Sequence, residues 1–216
     1  MRSSKRLWAF TALAVAGPMA AVPAAVPASA APAQRPATAL AADPPVEAGP
    51  WTSYSPGFAV QQRGCGKVSG GTFQLTCSTA SGDQRAERRY DTYTGGTRQF
   101  QGYFKITSMG GTRISLKQTF QDPQGPYFML AVERGGRLYA VHGGTTIATG
   151  ATVGTTVRVN TVHEVGKTHK TYINGSLKRT ESSPGGSFYD KFGSYRTNSG
   201  QGPITVEWSN IQFWRK

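Results

Sequence analysis

Residues able to do chemistry gather in three short stretches. The first is Phe188-Tyr189-Asp190-Lys191-Phe192-Gly193-Ser194-Tyr195-Arg196-Thr197. Read as a β-strand, its side chains alternate between two faces. Phe188 and Phe192 fall on a face suited to a hydrophobic core, while Tyr189, Lys191, Gly193, Tyr195 and Thr197 share the other. Two phenols, one ammonium and a gap left by glycine form a wall along which a polar, anionic ligand can lie. Glycine in mid-strand weakens the strand unless something comes close to the backbone there. The second stretch, Arg85-Ala86-Glu87-Arg88-Arg89, sets Arg85, Glu87 and Arg89 on one face. Such a row holds two guanidiniums in fixed orientation, and arginine suits bidentate carboxylate recognition; the alternative is a self-paired surface row of little energetic weight. The third is Ser115-Leu116-Lys117-Gln118-Thr119-Phe120-Gln121. Strict alternation groups Gln118 with Ile114, Leu116 and Phe120, and Lys117 with Arg113, Ser115 and Thr119. Either this strand carries a bulge, or Lys117 rather than Gln118 faces the polar side.

Other chemistries find less support. His142, His163 and His169 have no metal-ligand spacing to another His, Cys or acid, so neither metal nor cofactor is expected. His142 ends a strand beside Gly143-Gly144, within reach of a cleft rim. His163 shares an apolar face with Val159 and Val165 and reads as a core histidine, whereas His169 reads as a surface residue. Glycoside hydrolysis needs two acids across a cleft, and Glu87, Glu133 and Glu207 show no such pairing along one strand. No Gly-x-Ser-x-Gly elbow is present, and the Gly-Gly pairs lead into strands rather than phosphate-binding helix N-termini.

The elements that position these residues are strands. From residue 51 onward, short alternating runs are separated by Gly-rich turns, with no apolar recurrence at helical spacing. Gly110-Gly111 turns the chain into Arg113–Gln121, and Gly135-Gly136 joins Tyr127–Arg134 to Arg137–His142. Gly166-Lys167 joins Val157–Val165 to Thr168–Ile173, and Asn174-Gly175 is a type I′ signal. In Ile204–Trp214 the apolar phase slips after Trp208, which suggests a bulge. Ten or more strands with tight turns predict an all-β fold, an antiparallel β-sandwich of jelly-roll type with a concave cleft.

Met1–Arg6 is a basic n-region, Leu7–Gly17 an apolar h-region, and Ala28-Ser29-Ala30 offers small residues for cleavage. Residues 1–30 therefore read as a secretory signal peptide, with an apolar run too short to span a membrane. The Ala/Pro-rich segment 31–49 is expected to be a disordered lead-in, followed by one domain over 50–216. Cys65 and Cys77 are expected to pair, as an even count in an exported chain suggests. Of 24 Lys and Arg against 11 Asp and Glu, three leave with the leader, so the mature chain is near +10. That charge favours polyanions, and for an extracellular protein an acidic polysaccharide ahead of nucleic acid. The aromatics are not interleaved with Arg and Lys in a nucleic-acid module. A monomer is expected.

The motifs also carry a resemblance. Arg85-Ala86-Glu87-Arg88-Arg89 resembles the Arg-x-Glu-x-Arg strand of the jelly-roll alginate lyases, in the concanavalin A-like superfamily. Tyr189-Asp190-Lys191-Phe192-Gly193-Ser194-Tyr195 resembles their Tyr-Phe-Lys-x-Gly-x-Tyr strand, matching at Tyr189, Lys191, Gly193 and Tyr195. Val162-His163-Glu164, Tyr172-Ile173-Asn174-Gly175 and Lys191–Arg196 are similar to the related glucuronan lyases. The resemblance covers about residues 83–216. It implies a secreted polysaccharide lyase that cleaves uronate polymers such as alginate or glucuronan by β-elimination. In that scheme Tyr195 removes the C5 proton and protonates the leaving oxygen, while Arg85 and Gln118 neutralise the carboxylate. Phe120 stands where the Gln-x-His motif of the family has histidine, and His142 is the candidate substitute. Glu87, Arg89, Lys117, Tyr189 and Lys191 would form the substrate-binding row. A phenol ordinarily yields its proton only near pH 10, so the role requires cationic neighbours. The alternatives are a non-catalytic, lectin-like sandwich or a glycoside hydrolase.

Overall fold

A computed structural model of the chain describes residues 43–78, 81–197 and 200–216. They belong to one compact unit, 41–216; the expected signal peptide, 1–30, and most of the expected lead-in lie outside the described residues. The strands are β1 (Thr52–Tyr54), β2 (Phe58–Arg63), β3 (Gly66–Ser69), β4 (Thr72–Leu75) and β5 (Arg85–Tyr90). Then come β6 (Thr97–Met109), β7 (Arg113–Asp122), β8 (Gly125–Glu133), β9 (Leu138–Ala140) and β10 (Thr146–Ala148). The series ends with β11 (Thr156–Glu164), β12 (Thr168–Ile173), β13 (Ser176–Ser182), β14 (Ser187–Tyr195) and β15 (Ile204–Arg215). No helix occurs among the described residues.

The strands form two antiparallel sheets. One runs β13-β12-β11-β6-β15-β4-β3, with β1 added on β15; the other runs β10-β9-β8-β7-β14-β5-β2. The turn residues behave as their chemistry dictates. Asn174 and Gly175 both take positive φ, 51° and 80°, as a type I′ hairpin requires. The phase slip in the last strand is a register shift between Ser209 and Gln212, with Asn210 at φ 49°.

Alternation on the two inner faces supplies the core. Phe73, Phe100, Phe104 and Trp208 from the first sheet meet Ala86, Ile114, Leu130 and Phe192 from the second. Phe192 is the hub, with ring centroids 5.4 Å from Phe73, 5.8 Å from Phe100 and 4.9 Å from Trp208. Cys65 and Cys77 are bonded, Cα atoms 5.8 Å apart, tying the end of β2 to the end of β4.

Two sequence expectations are corrected here. His169 is not a surface residue: β12 pairs with β11 so that His169 stands opposite His163 on the inner face, fully enclosed. Its ring lies 4.6 Å from Phe128, and its Nε2 is 3.1 Å from Thr119 Oγ1. Residues 43–49, expected within the disordered lead-in, are held against the outer face of the first sheet. Asp43 Oδ2 accepts hydrogen bonds from Tyr103 (2.6 Å) and Gln101 (3.1 Å). Glu47 Oε1 accepts from Tyr172 (2.6 Å) and Lys170 (2.8 Å). Composition alone misses this, because two acids in a proline-rich segment anchor it where its apolar content cannot.

Candidate active site

The outward face of the seven-stranded sheet brings the three chemical stretches together. β5, β14 and β7 are adjacent, and their registers align the side chains in rows. One row runs Arg85–Tyr195–Ser115 and another Arg89–Lys191–Gln118–Met129, with the Glu87–Gly193 pair between them. Residues directly opposite across an antiparallel pair point to the same face.

A bulge decides which residue of β7 joins these rows. The ladder between β7 and β8 shifts between Ser115 and Lys117, so the extra residue returns Gln118 to the outward face and turns both Leu116 and Lys117 inward. Lys117 is therefore not a substrate-binding residue. It is 0 % exposed, and its ammonium donates to Asp190 Oδ1 at 2.5 Å in the interior, 4.8 Å from the Phe100 ring. Burial holds this ammonium below its ordinary range in spite of Asp190.

Gly193 is explained by the chain itself rather than by a ligand. Its φ is +142°, and a Cβ there would lie 2.2 Å from Ala86 O and 2.8 Å from both Glu87 Cα and Phe73. The neighbouring strand is what approaches the backbone, at a register shift between Phe192 and Tyr195. That shift leaves Ser194 enclosed, its Oγ donating to Phe73 O at 3.4 Å, while Tyr195 returns to the outward row.

Glu87 is the electrostatic centre of the face. Its enclosed carboxylate accepts from Gln118 Nε2 at 2.6 Å and Lys191 Nζ at 3.3 Å, with Arg85 Nη1 3.8 Å away. Burial raises its pKa, while the Lys191 and Arg85 charges and the two hydrogen bonds oppose the rise. Lys191 is only 3 % exposed, and burial holds its ammonium below the ordinary range against the pull of Glu87. It lies under the surface as a partner of Glu87 rather than projecting from it.

Arg85 is anchored on its other side by Asp83, Nε to Oδ1 2.8 Å, and its guanidinium lies over the Tyr195 ring, 4.9 Å from the centroid. Two residue types from opposite halves of the domain thus meet as direct cross-strand neighbours. At the other end of the rows Tyr189 is layered between Phe120 and Arg89. Its ring is parallel to Phe120 at 4.8 Å, and the Arg89 guanidinium is 4.0 Å from its centroid. Burial raises the Tyr189 phenol, and Arg89 partly offsets this.

Beside Tyr195 the face opens into a groove of about 440 Å³, lined by Tyr195, His142, Arg113, Arg137, Tyr139 and Met129 among others. His142, on the exposed turn after β9, places Nδ1 3.3 Å from Tyr127 O. It reaches the groove of Tyr195, but no contact joins it to Gln118 or Arg85 among the described residues. Sequence reasoning missed Arg113, Arg137 and Tyr139. Arg137 had a legible signal: with Glu133 it straddles the Gly135-Gly136 turn, and the two pair at 2.6 and 2.9 Å. Among the described residues no group of three or more His, Cys, Asp or Glu is arranged to hold a metal ion.

Comparison with known proteins turns on this architecture. An alginate lyase from Corynebacterium sp. superposes with a TM-score of 0.55 at 20 % identity, over 66 % of this chain and 76 % of that one. An alginate lyase from Pseudomonas aeruginosa gives 0.56 at 16 % identity, over 73 % and 86 %. An alginate lyase of polysaccharide lyase family 7 gives 0.51 at 21 % identity, over 76 % and 81 %. The chain has the jelly-roll fold of these lyases. No family model and no curated protein matches the sequence, so the likeness extends to the fold and chemistry must be argued from the site. On this fold, the Arg85–Tyr195 pair lies on the outward face of the seven-stranded sheet.

Proposed function

We propose that the protein is a secreted polysaccharide lyase that cleaves a uronate-containing polymer by β-elimination on the outward face of the seven-stranded sheet. The observation that carries this reading is the Arg85–Tyr195 pair, a guanidinium 4.9 Å from a phenol ring beside an open groove. A proton next to a carboxylate becomes removable once the charge of that carboxylate is offset at the moment electrons move onto it. Arg85 supplies a fixed charge for that purpose, and the Gln118 amide, held by Glu87, a hydrogen-bond donor. The Tyr195 oxygen takes the proton from C5. The C5–H electrons form the C4–C5 double bond, the C4–O bond breaks, and the leaving oxygen recovers a proton from the same phenol. His142 and Arg113 line the groove where the adjoining sugar would lie. The basic mature chain and the leader-like residues 1–30 support an extracellular, polyanionic substrate.

A second reading has a specific observation in its favour. Gln118 and Lys191 both spend hydrogen bonds on Glu87, and Phe120, stacked on Tyr189, stands where the resembling family has histidine. A face so occupied suits a lectin that grips an acidic sugar without elimination. The experiment is to incubate the mature protein with alginate, glucuronan, pectate and hyaluronan. Ultraviolet absorbance of unsaturated ends identifies a lyase. Retention on a polymer without that absorbance identifies a lectin, and reducing ends without it a hydrolase.

A further inference from the structure

The Arg85–Arg89 stretch carries a third arginine that the Tyr195 face does not use. Arg88 alternates with Glu87 and Arg89, so β5 directs it to the other side of the sheet. There its guanidinium lies 4.7 Å from the centroid of the Phe58 ring, and Nη2 donates to Gly70 O at 2.8 Å. Its Nε is shielded from solvent and has no acceptor among the described residues. Arg85, Arg137 and Arg179 each hold a carboxylate, whereas Arg88 holds none among the described residues. A partly buried guanidinium without a counter-charge is an unfavourable arrangement that an incoming anion relieves.

Arg88 also borders a cavity of about 710 Å³, larger than the groove at Tyr195. Its walls include the rings of Tyr54, Phe58, Tyr90 and Trp214. The carboxylate on the wall is that of Asp43, and Tyr103 and Gln101 already engage it, so among the described residues Arg88 is met by the Gly70 carbonyl, the Tyr90 phenol and the Phe58, Phe73 and Phe192 rings but by no carboxylate. Aromatic walls with one convergent charged group, in a space of this size, are the usual composition of a small-ligand site. Phe58 is 51 % exposed at the rim, so a ring can enter against it without displacing the core.

We propose that this cavity is a second ligand site, on the far side of the sheet from Tyr195, which takes the carboxylate of an acidic sugar on Arg88 and the sugar ring against Phe58 and Tyr54. With Nε shielded and one Nη2 hydrogen held by Gly70 O, the donors left to that carboxylate are Nη1 and the second Nη2 hydrogen, the end-on fork of the guanidinium, and the aromatic faces take the C–H face of the ring. The choice of a sugar acid rests on the polyuronate reading of the Tyr195 face; the preference for an anion with a ring stands on the cavity alone. Two sites on one polymer-binding protein hold a long chain more tightly than either alone, because the second contact forms at high effective concentration.

The test uses isotope-labelled mature protein titrated with sodium glucuronate, glucose and sodium acetate. Backbone-amide and indole NMR shifts at Phe58 and Trp214 report the cavity. Glucuronate is expected to move them, with glucose and acetate at least tenfold weaker. Arg88→Met should weaken the glucuronate response at least tenfold. Phe58→Ser, at a half-exposed position where folding is not at stake, should weaken it at least threefold. Tyr195→Phe should leave it unchanged. Glucuronate shifts confined to the surroundings of Tyr195, equal responses to acetate or glucose, or an unchanged response in Phe58→Ser would overturn the proposal. None of these readouts depends on turnover, so a failure of the lyase reading registers separately, as the absence of unsaturated product.

Discussion

Replacing Asp190 with asparagine tests the inward placement of Lys117. The Lys117 ammonium is fully enclosed and donates to Asp190 Oδ1 at 2.5 Å, to Gln118 O at 3.0 Å and to Thr119 Oγ1 at 3.4 Å. Asp190→Asn keeps the shape of the site but leaves the ammonium with neutral oxygens only. Removing one partner of a buried pair in this way costs about 3–5 kcal/mol, a large part of the roughly 5–15 kcal/mol that holds a domain folded. The melting temperature should fall by on the order of 10 °C. The double variant Lys117→Met, Asp190→Leu should recover most of the loss, because an apolar pair of similar volume carries no desolvation penalty. Urea unfolding of wild type, Lys117→Met, Asp190→Leu and the double variant closes the cycle, and a coupling above about 2 kcal/mol is expected for groups in contact. A loss under about 1 kcal/mol in Asp190→Asn, or a double variant no better than the singles, would show that Lys117 reaches water. The inward placement would then be refuted.

Three further outcomes are expected from the buried groups and cross-links of the domain. Burial lowers the His163 pKa to about 4, from an unfolded value near 6.5. The unfolded chain therefore binds the proton first as acid is added. The His163 contribution should be complete above about pH 6.5 and fall between there and pH 4 by up to about 3 kcal/mol, with buried His169, also held well below its ordinary value, adding to the loss; a flat urea midpoint across that window would contradict it. The His163 network is consistent with this: Ser183 Oγ donates to Pro184 O, so it accepts from Nε2–H, and Tyr93 donates to Nδ1. Reducing Cys65–Cys77, which closes a loop with a sequence separation of 12, should cost about 3 kcal/mol on the loop-entropy relation, read as a lower urea midpoint in dithiothreitol. Glu87→Gln should slow elimination at least tenfold in protein that is still folded, since it releases Gln118 and Lys191 from fixed positions. An unchanged rate would show that Glu87 only stabilises the sheet.

Much of the architecture was legible because period-2 alternation and Gly-rich turns are strong local signals. The Asn174-Gly175 hairpin and the phase slip after Trp208 stand where residue chemistry placed them. The facing of Lys117 and Gln118 was not legible, since a single inserted residue inverts every assignment beyond it. The irregularity at Leu116 is set by pairing with β8 and β14, which local sequence does not encode. His169 was misread for a related reason. Its neighbours Thr168 and Lys170 look solvated, and only the pairing with β11 reveals an inward residue. Gly193 was read as a gap left for a ligand, whereas what approaches its backbone is the adjacent strand β5. The Arg85–Tyr195 contact joins residues far apart in sequence, and the pairing of β5 with β14 brings them together.

The central claim is that the Tyr195 oxygen moves the proton in a β-elimination. It is tested most directly by comparing wild type with Tyr195→Phe on whichever uronate polymer the protein retains, following unsaturated product while confirming that affinity is unchanged. The account predicts steady release by wild type and a loss of at least about a thousandfold in the variant, with binding intact. Equal release by both proteins, or none by wild type on a polymer it binds, would contradict it.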